Sequence, residues 1–197
     1  MIMNGNVQQK SLLREYLTNS TLAGLLEIIL LMLAGVMAIV LHARLRTPIN
    51  IPGHHGIEFM AIIIATRLSS KMRWASSISA LGIGIFILFP VLGFKDPMMG
   101  FNYMLPLFLV DVAYNYVKSD KHRKLIIALS AGFGYMLIPL SRIILSITTG
   151  YPYSTFLKHG FVTPVFTFLF FGLLGGLLGT GIYLGGKKLL NKYKLNQ

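Results

Sequence analysis

The chain has no cysteine, and only six of its 197 residues are acidic. The first absence excludes disulfides, thiolate metal sites and thiol nucleophiles, and it leaves the redox compartment open. Tryptophan occurs once. Charged residues of both signs make up 12% of the chain against 54% hydrophobic ones, with a mean hydropathy of +0.68. That is too little polar surface to cover a water-soluble globule. Also missing are a Walker lysine motif, a GxSxG elbow, an HExxH zinc motif and a run of acidic metal ligands. No chemistry in the sequence requires an enzyme, and inverted repeats are not visible.

What the sequence does hold is six apolar stretches, at about 22–43, 56–69, 75–93, 101–117, 125–148 and 161–184. A helix crosses a hydrocarbon core of roughly 30 Å with about 20 residues. The pattern therefore predicts an all-α integral membrane protein, a single transmembrane domain of six helices with no room for a soluble catalytic or ATP-binding domain. The second stretch is short for a crossing. It is expected to tilt little, to start within the loop before it, or to leave one end in a polar cavity. The first stretch follows a polar segment ending at Asn19 and is too long for a signal-peptide core, so it is expected to be retained.

Basic residues orient the helices. With a cytoplasmic N-terminus the inner segments carry twelve Lys and Arg, and the outer ones only Arg44, Arg46, Lys95 and Lys158. Positive charge resists translocation, which places both termini in the cytoplasm. The net charge of +12 lies in loops and tails beside apolar spans, so membrane lipid with anionic headgroups is the expected partner, and nucleic acid is not.

Ionisable groups inside apolar spans are candidates for function, weighed against structural pairing. Glu27 reads as a structural or interface residue, and Arg67 is close enough to the inner end of its helix to snorkel. Asp111 is expected near the midplane and Arg142 in the outer third of its span; either they form an ion pair clipping two helices or they bind a ligand. The first outer loop, Thr47-Pro48-Ile49-Asn50-Ile51-Pro52-Gly53-His54-His55, is stiffened by proline and turned by glycine, and it delivers His54, His55 and Glu58 to the second helix. His54 and Glu58 share a face if helix begins by His54, a possible metal half-site; a cap and hydrogen-bond role is the commoner one, and spacing fixes no third ligand, so no metal is assigned. The other outer segments bring Asn102, Tyr103, Tyr151, Tyr153 and His159 to the same end. Tyrosines there also serve as interfacial anchors. An aromatic pocket with a few polar groups suits a small organic ligand.

Small residues supply the last signal. Ala34 and Ala38 form a small-xxx-small pair in the first span, and Gly172, Gly175, Gly176, Gly179, Gly181 and Gly185 stripe the sixth. With an Ala-xxx-Ala pair at Ala34 and Ala38, followed by a proline-containing outer loop, the chain resembles the substrate-binding S components of energy-coupling factor transporters. The resemblance covers architecture over nearly the whole chain. It implies six helices in a prokaryotic plasma membrane, an outward-facing substrate cavity, and docking of Ala34 and Ala38 on a transmembrane coupling subunit. It further implies ATPase subunits as partners, with ATP used there and no cofactor in this chain. Met1-Ile2-Met3 departs from the Met-His start of the cobalt and nickel members, which points to a vitamin-like organic nutrient. On that reading His54, His55, Glu58, Asn102, Tyr103, Asp111, Arg142, Tyr151, Tyr153 and His159 bind substrate. Two alternatives stay open: a haem- or metal-binding redox protein using His42, His54, His55 or His159, and a noncatalytic assembly protein for which the Gly and Ala faces are the whole story.

Overall fold

The computed structural model describes residues 5–45, 50–89, 96, 98–117 and 120–195, with side chains for 20–45, 50–89, 96, 98–117 and 122–193. The sequence reading's Thr47-Pro48-Ile49, Arg46, Lys95 and the end of the third stretch at 90–93 lie outside them. All regular structure among the described residues is helical: α1 (Gly5–Arg44), α2 (Gly56–Ser69), α3 (Ala75–Ile87), α4 (Met99–Tyr116), α5 (Asp120–Thr149), α6 (Ser154–His159) and α7 (Val162–Leu195). Three segments, Ser20–Arg44, His122–Thr149 and Val162–Tyr193, are long and apolar enough to cross a membrane, which marks a membrane protein. The six longer helices fall on the six apolar stretches. α6 was not expected, because six residues are too few to show a period.

Helix ends follow local chemistry. Gly150 and Gly160, at φ +71° and +68°, stop α5 and α6 in the left-handed conformation that glycine adopts without Cβ strain. The start of α3 is capped from another helix: the Asp111 carboxylate on α4 accepts the backbone N–H groups of Ser76 (3.1 Å) and Ser77 (2.6 Å). Two of the four orphan donors of a helix N-terminus are thereby satisfied, and the negative charge sits at the positive end of the helix dipole.

Packing closes a ring in the order α1, α3, α4, α5, α7, α2 and back to α1, with α2 also touching α3, α4 and α5. α2 is thus the centre of the bundle. Phe59, Met60, Ile63 and Ile64 are fully buried, and no residue of α2 before Ser69 is exposed. A core helix need not match the full hydrocarbon thickness along its own length, and this accounts for the short second stretch.

Glycine sets the closest approaches. Gly35 on α1 and Gly82 on α3 lie against the backbones of Ser79 and Met32, so that each helix seats the other. The α7 stripe divides into two: Gly172 and Gly176 meet Ala131 and Ala128 of α5, while Gly175 and Gly179 meet the backbones of Gly56 and Ala61 on α2. In lipid, where burial of apolar surface drives little, such close contact and its dispersion energy hold helices together. Nothing lies within 4 Å of a Cβ built at Gly181 or Gly185, so these two take no part.

Candidate functional site

At one end of the bundle five helices, α1, α2, α4, α5 and α7, converge with the segments before α2, before α4 and after α5. Arg142 on α5 donates from Nε (2.8 Å) and NH2 (2.7 Å) to Oδ2 of Asp96, just before α4. Asp96 Oδ1 accepts the Tyr153 hydroxyl (3.1 Å) and the backbone N–H of Met98 (3.0 Å), and Oδ2 also accepts from Asn102 Nδ2 (3.4 Å). Ser141 donates to the Asn102 side-chain oxygen at 2.5 Å. One carboxylate therefore ties α4, α5 and the α5–α6 loop together. Burial and the facing Asp96 carboxylate push the Tyr153 hydroxyl up to about 12, since ionising it would set two negative charges side by side.

Beside this pair lies an imidazole and phenol cluster. His55 Nδ1 donates to Glu58 Oε1 at 2.6 Å. The His42 ring bridges α1 to its neighbours, with Nδ1 3.5 Å from the His55 carbonyl and Nε2 2.6 Å from the Tyr103 hydroxyl. Both contacts are met at once by a neutral ring protonated on Nδ1, donating there and accepting from the phenol on Nε2. Phe59 stands edge-on to both His42 and Tyr103, with centroids 5.8 and 5.4 Å away. Tyr135 stacks on Phe168 at 4.8 Å. Two glycines make room for this wall: a Cβ at Gly56 would strike the Tyr135 ring, and one at Gly53, which also has φ +82°, would strike Phe168.

Most polar atoms here are satisfied from within the protein. The exceptions point to a ligand. Tyr135 is fully buried, yet its hydroxyl has no hydrogen-bond partner, and it lies within electrostatic reach of Tyr103, Arg142 and Glu58. His54 donates from Nδ1 to the Ile51 carbonyl at 2.7 Å while its Nε2 is buried and unpartnered. An unpaired buried hydroxyl costs about 1–3 kcal/mol, a cost that an incoming acceptor or donor removes.

Several expectations from the sequence need correction. Asp111 and Arg142 do not pair. Asp111 is fully buried and pairs with Arg67 Nε at 2.9 Å, at the opposite end of α2 from His55 and Glu58, so it does not belong to this site. Arg67 does not snorkel: it is fully buried, donates to the Met72 carbonyl at 2.8 Å and lies 3.6 Å from the Tyr114 ring centre. His54 does not join Glu58, because α2 begins at Gly56 and the carboxylate turns to His55 instead. Ala38 is fully buried inside the chain and is not open to a partner; Ala34 lines a groove of about 360 Å³ between α1 and α2, where Glu27 accepts the Ser70 hydroxyl at 2.5 Å. Tyr151 reaches the site's edge through its ring contact with Tyr153 (4.8 Å), whereas His159 ends α6 outside the hydrogen-bonded cluster.

Asp96, His42, Tyr135 and Ser141 are members that the sequence reading of the substrate site did not include. Asp96 had a signal: beside Glu58 it is the only acid in the outer segments, and an Arg142 within an apolar stretch needs a counter-charge. Among the described residues no group of three or more His, Asp or Glu is arranged to hold a metal ion. The cluster offers hydrogen-bond donors, one exchangeable ion pair and aromatic faces, a set suited to binding. Compared with protein-family models, curated proteins and solved structures, the chain matches none of them.

Proposed function

We propose that this protein is the membrane-embedded capture subunit of an ATP-driven importer, binding a small organic nutrient at its outer end. All six longer helices cross the membrane on this reading, both termini are cytoplasmic, and a coupling protein with its ATPases supplies the energy. The observation that carries it is the Tyr135 hydroxyl, fully buried and unpartnered on a ring packed against Phe59 and Phe168. A polar group held at that cost within a wall of aromatic rings supports a ligand site.

Arg142 is the anchor for a ligand carboxylate or phosphate, which takes the place of Asp96 on the guanidinium. Phe59, Tyr103 and Tyr135 stack against a ring. Asp96 keeps its bonds to Met98 and Tyr153 when Arg142 lets go, so the exchange leaves no bare carboxylate. Equilibrium binding of a vitamin and metal panel to the purified full chain tests the reading, with Arg142→Ala and His55→Ala alongside. Binding of one organic member tighter than millimolar, weakened by both substitutions, is expected. No member reaching that affinity sinks the capture role.

A further inference from the structure

A second feature lies on the outside of the bundle, between α3 and α4. A groove of about 440 Å³ runs there, lined by Trp74, Ile78, Leu81, Phe101, Leu105 and Phe108 among others. From Trp74 to Leu81 it follows two turns of α3, about 10 Å at 1.5 Å per residue. Trp74 and Phe108 form a flat wall at one end, their rings stacked at 5.8 Å with only 4° between planes. These walls face outward: Trp74 is 39% exposed, and Phe101 and Phe108 are each 52% exposed.

The helix contacts inside the bundle are made by glycine against backbone, whereas this groove is rimmed by large rings and leucines that hold another helix at a distance. A flexible chain fits between such ridges better than a rigid rod does. In the turn that leads into Trp74, Lys71 and Arg73 are exposed, and the Arg73 guanidinium stands 5.6 Å from the Trp74 ring centre. The turn that carries them is fixed, because the Arg73 carbonyl accepts from Asn115 Nδ2 at 2.8 Å and from Arg67 at 3.4 Å. Two acids lie nearby: Asp111 is buried and consumed by Arg67 and the start of α3, and Glu27 accepts the hydroxyl of Ser70, next to Lys71, at 2.5 Å.

We infer that the α3–α4 groove is a binding site for one anionic phospholipid, with an acyl chain along Trp74, Ile78 and Leu81 and the phosphate on Arg73 and Lys71. An apolar trough ending in two cations matches a molecule with an apolar tail and an anionic head, and each basic side chain at a membrane surface favours an anionic lipid by about fivefold. The inference needs the membrane setting but not the capture role, so either can fail without the other.

Trp74 is the only tryptophan in the chain and a wall of the groove, so its fluorescence reports occupancy directly. The purified full chain, reconstituted in phosphatidylcholine, is titrated with phosphatidylglycerol whose acyl chains carry bromine, a contact quencher, and separately with brominated phosphatidylcholine. Preferential quenching by the glycerol lipid, on the order of tenfold in relative affinity, is expected, falling to near parity in Lys71→Ala/Arg73→Ala. Both side chains are exposed and their backbone bonds persist, so the double variant keeps its fold. Equal quenching by the two lipids in the unaltered protein overturns the site. So does a preference that survives in the double variant, which then belongs to the overall charge of +12.

Discussion

At the scale of single residues, two carboxylates, one inside an apolar stretch and one in an outer segment, do different work. Asp111 holds Arg67 and the first turn of α3, with Asp111, Arg67 and Ser76 fully buried. Removing it strands a guanidinium and two backbone donors, so Asp111→Ala is expected to cost about 3–5 kcal/mol, and Arg67→Ala a comparable amount. Because they share one interaction, the double substitution is expected to fall short of the sum by about 0.5–3 kcal/mol. Denaturant unfolding of the four proteins in detergent measures this, and additive losses would deny the pairing. Asp96 lies instead at the site, where burial and this carboxylate together raise the Tyr153 phenol. A phenol raised from 10 to about 12 keeps its proton longer when folded. Its contribution to stability is therefore complete below pH 10 and is lost as pH rises toward 12. The difference in ultraviolet phenolate titration between the natural protein and Tyr153→Phe is expected to show the missing hydroxyl ionising near 12; a step near 10 would mean that the hydroxyl is neither buried nor faced by Asp96.

At the scale of helices, the glycine pattern separates residues that look alike in sequence. Gly172, Gly175, Gly176 and Gly179 touch the backbones of α5 or α2, while Gly181 and Gly185 touch nothing. Gly176→Ala puts a methyl 2.6 Å from the Ala128 carbonyl oxygen and is expected to destabilise by about 1–3 kcal/mol as overpacking. Gly181→Ala has open space and gains helix propensity of up to about 1 kcal/mol. Thermal unfolding in detergent ranks them, and equal effects would contradict the division of the stripe. Helix positions were legible because apolar runs are long and punctuated by Pro, Gly and polar turns; α2 begins and ends where composition alone places it. Partners were less so, since contacts between helices depend on depth and rotation that no local pattern records. Depth by itself could have corrected one error: Arg67 and Asp111 both come late in helices that run the same way, whereas Arg142 comes late in α5, which runs the opposite way. Tyr135 was invisible for a different reason. A tyrosine within an apolar stretch reads as packing, and only the unpartnered hydroxyl distinguishes it.

For the whole molecule, the number of helices that cross decides the direction of ligand entry. α1, α5 and α7 have the length and hydropathy to cross unaided, while α2, with 14 residues, is about 21 Å long against a core of roughly 30 Å. If only three helices cross, both ends of α2 lie on one side of the membrane. With six crossings they lie on opposite sides, and the central position of α2 makes up for its length: its ends open into polar groups, His55 and Glu58 at one and the Arg67–Asp111 pair at the other, rather than into lipid. The absence of cysteine makes the choice measurable. Ile51 and Lys71 flank α2 and are exposed, so Ile51→Cys and Lys71→Cys each introduce the sole thiol in an otherwise unreactive chain. In sealed, right-side-out vesicles an impermeant maleimide is expected to label Cys at 51 and to reach Cys at 71 only after the membrane is opened. Labelling of both before opening would mean that α2 does not cross and would overturn the six-crossing topology of the proposed capture subunit.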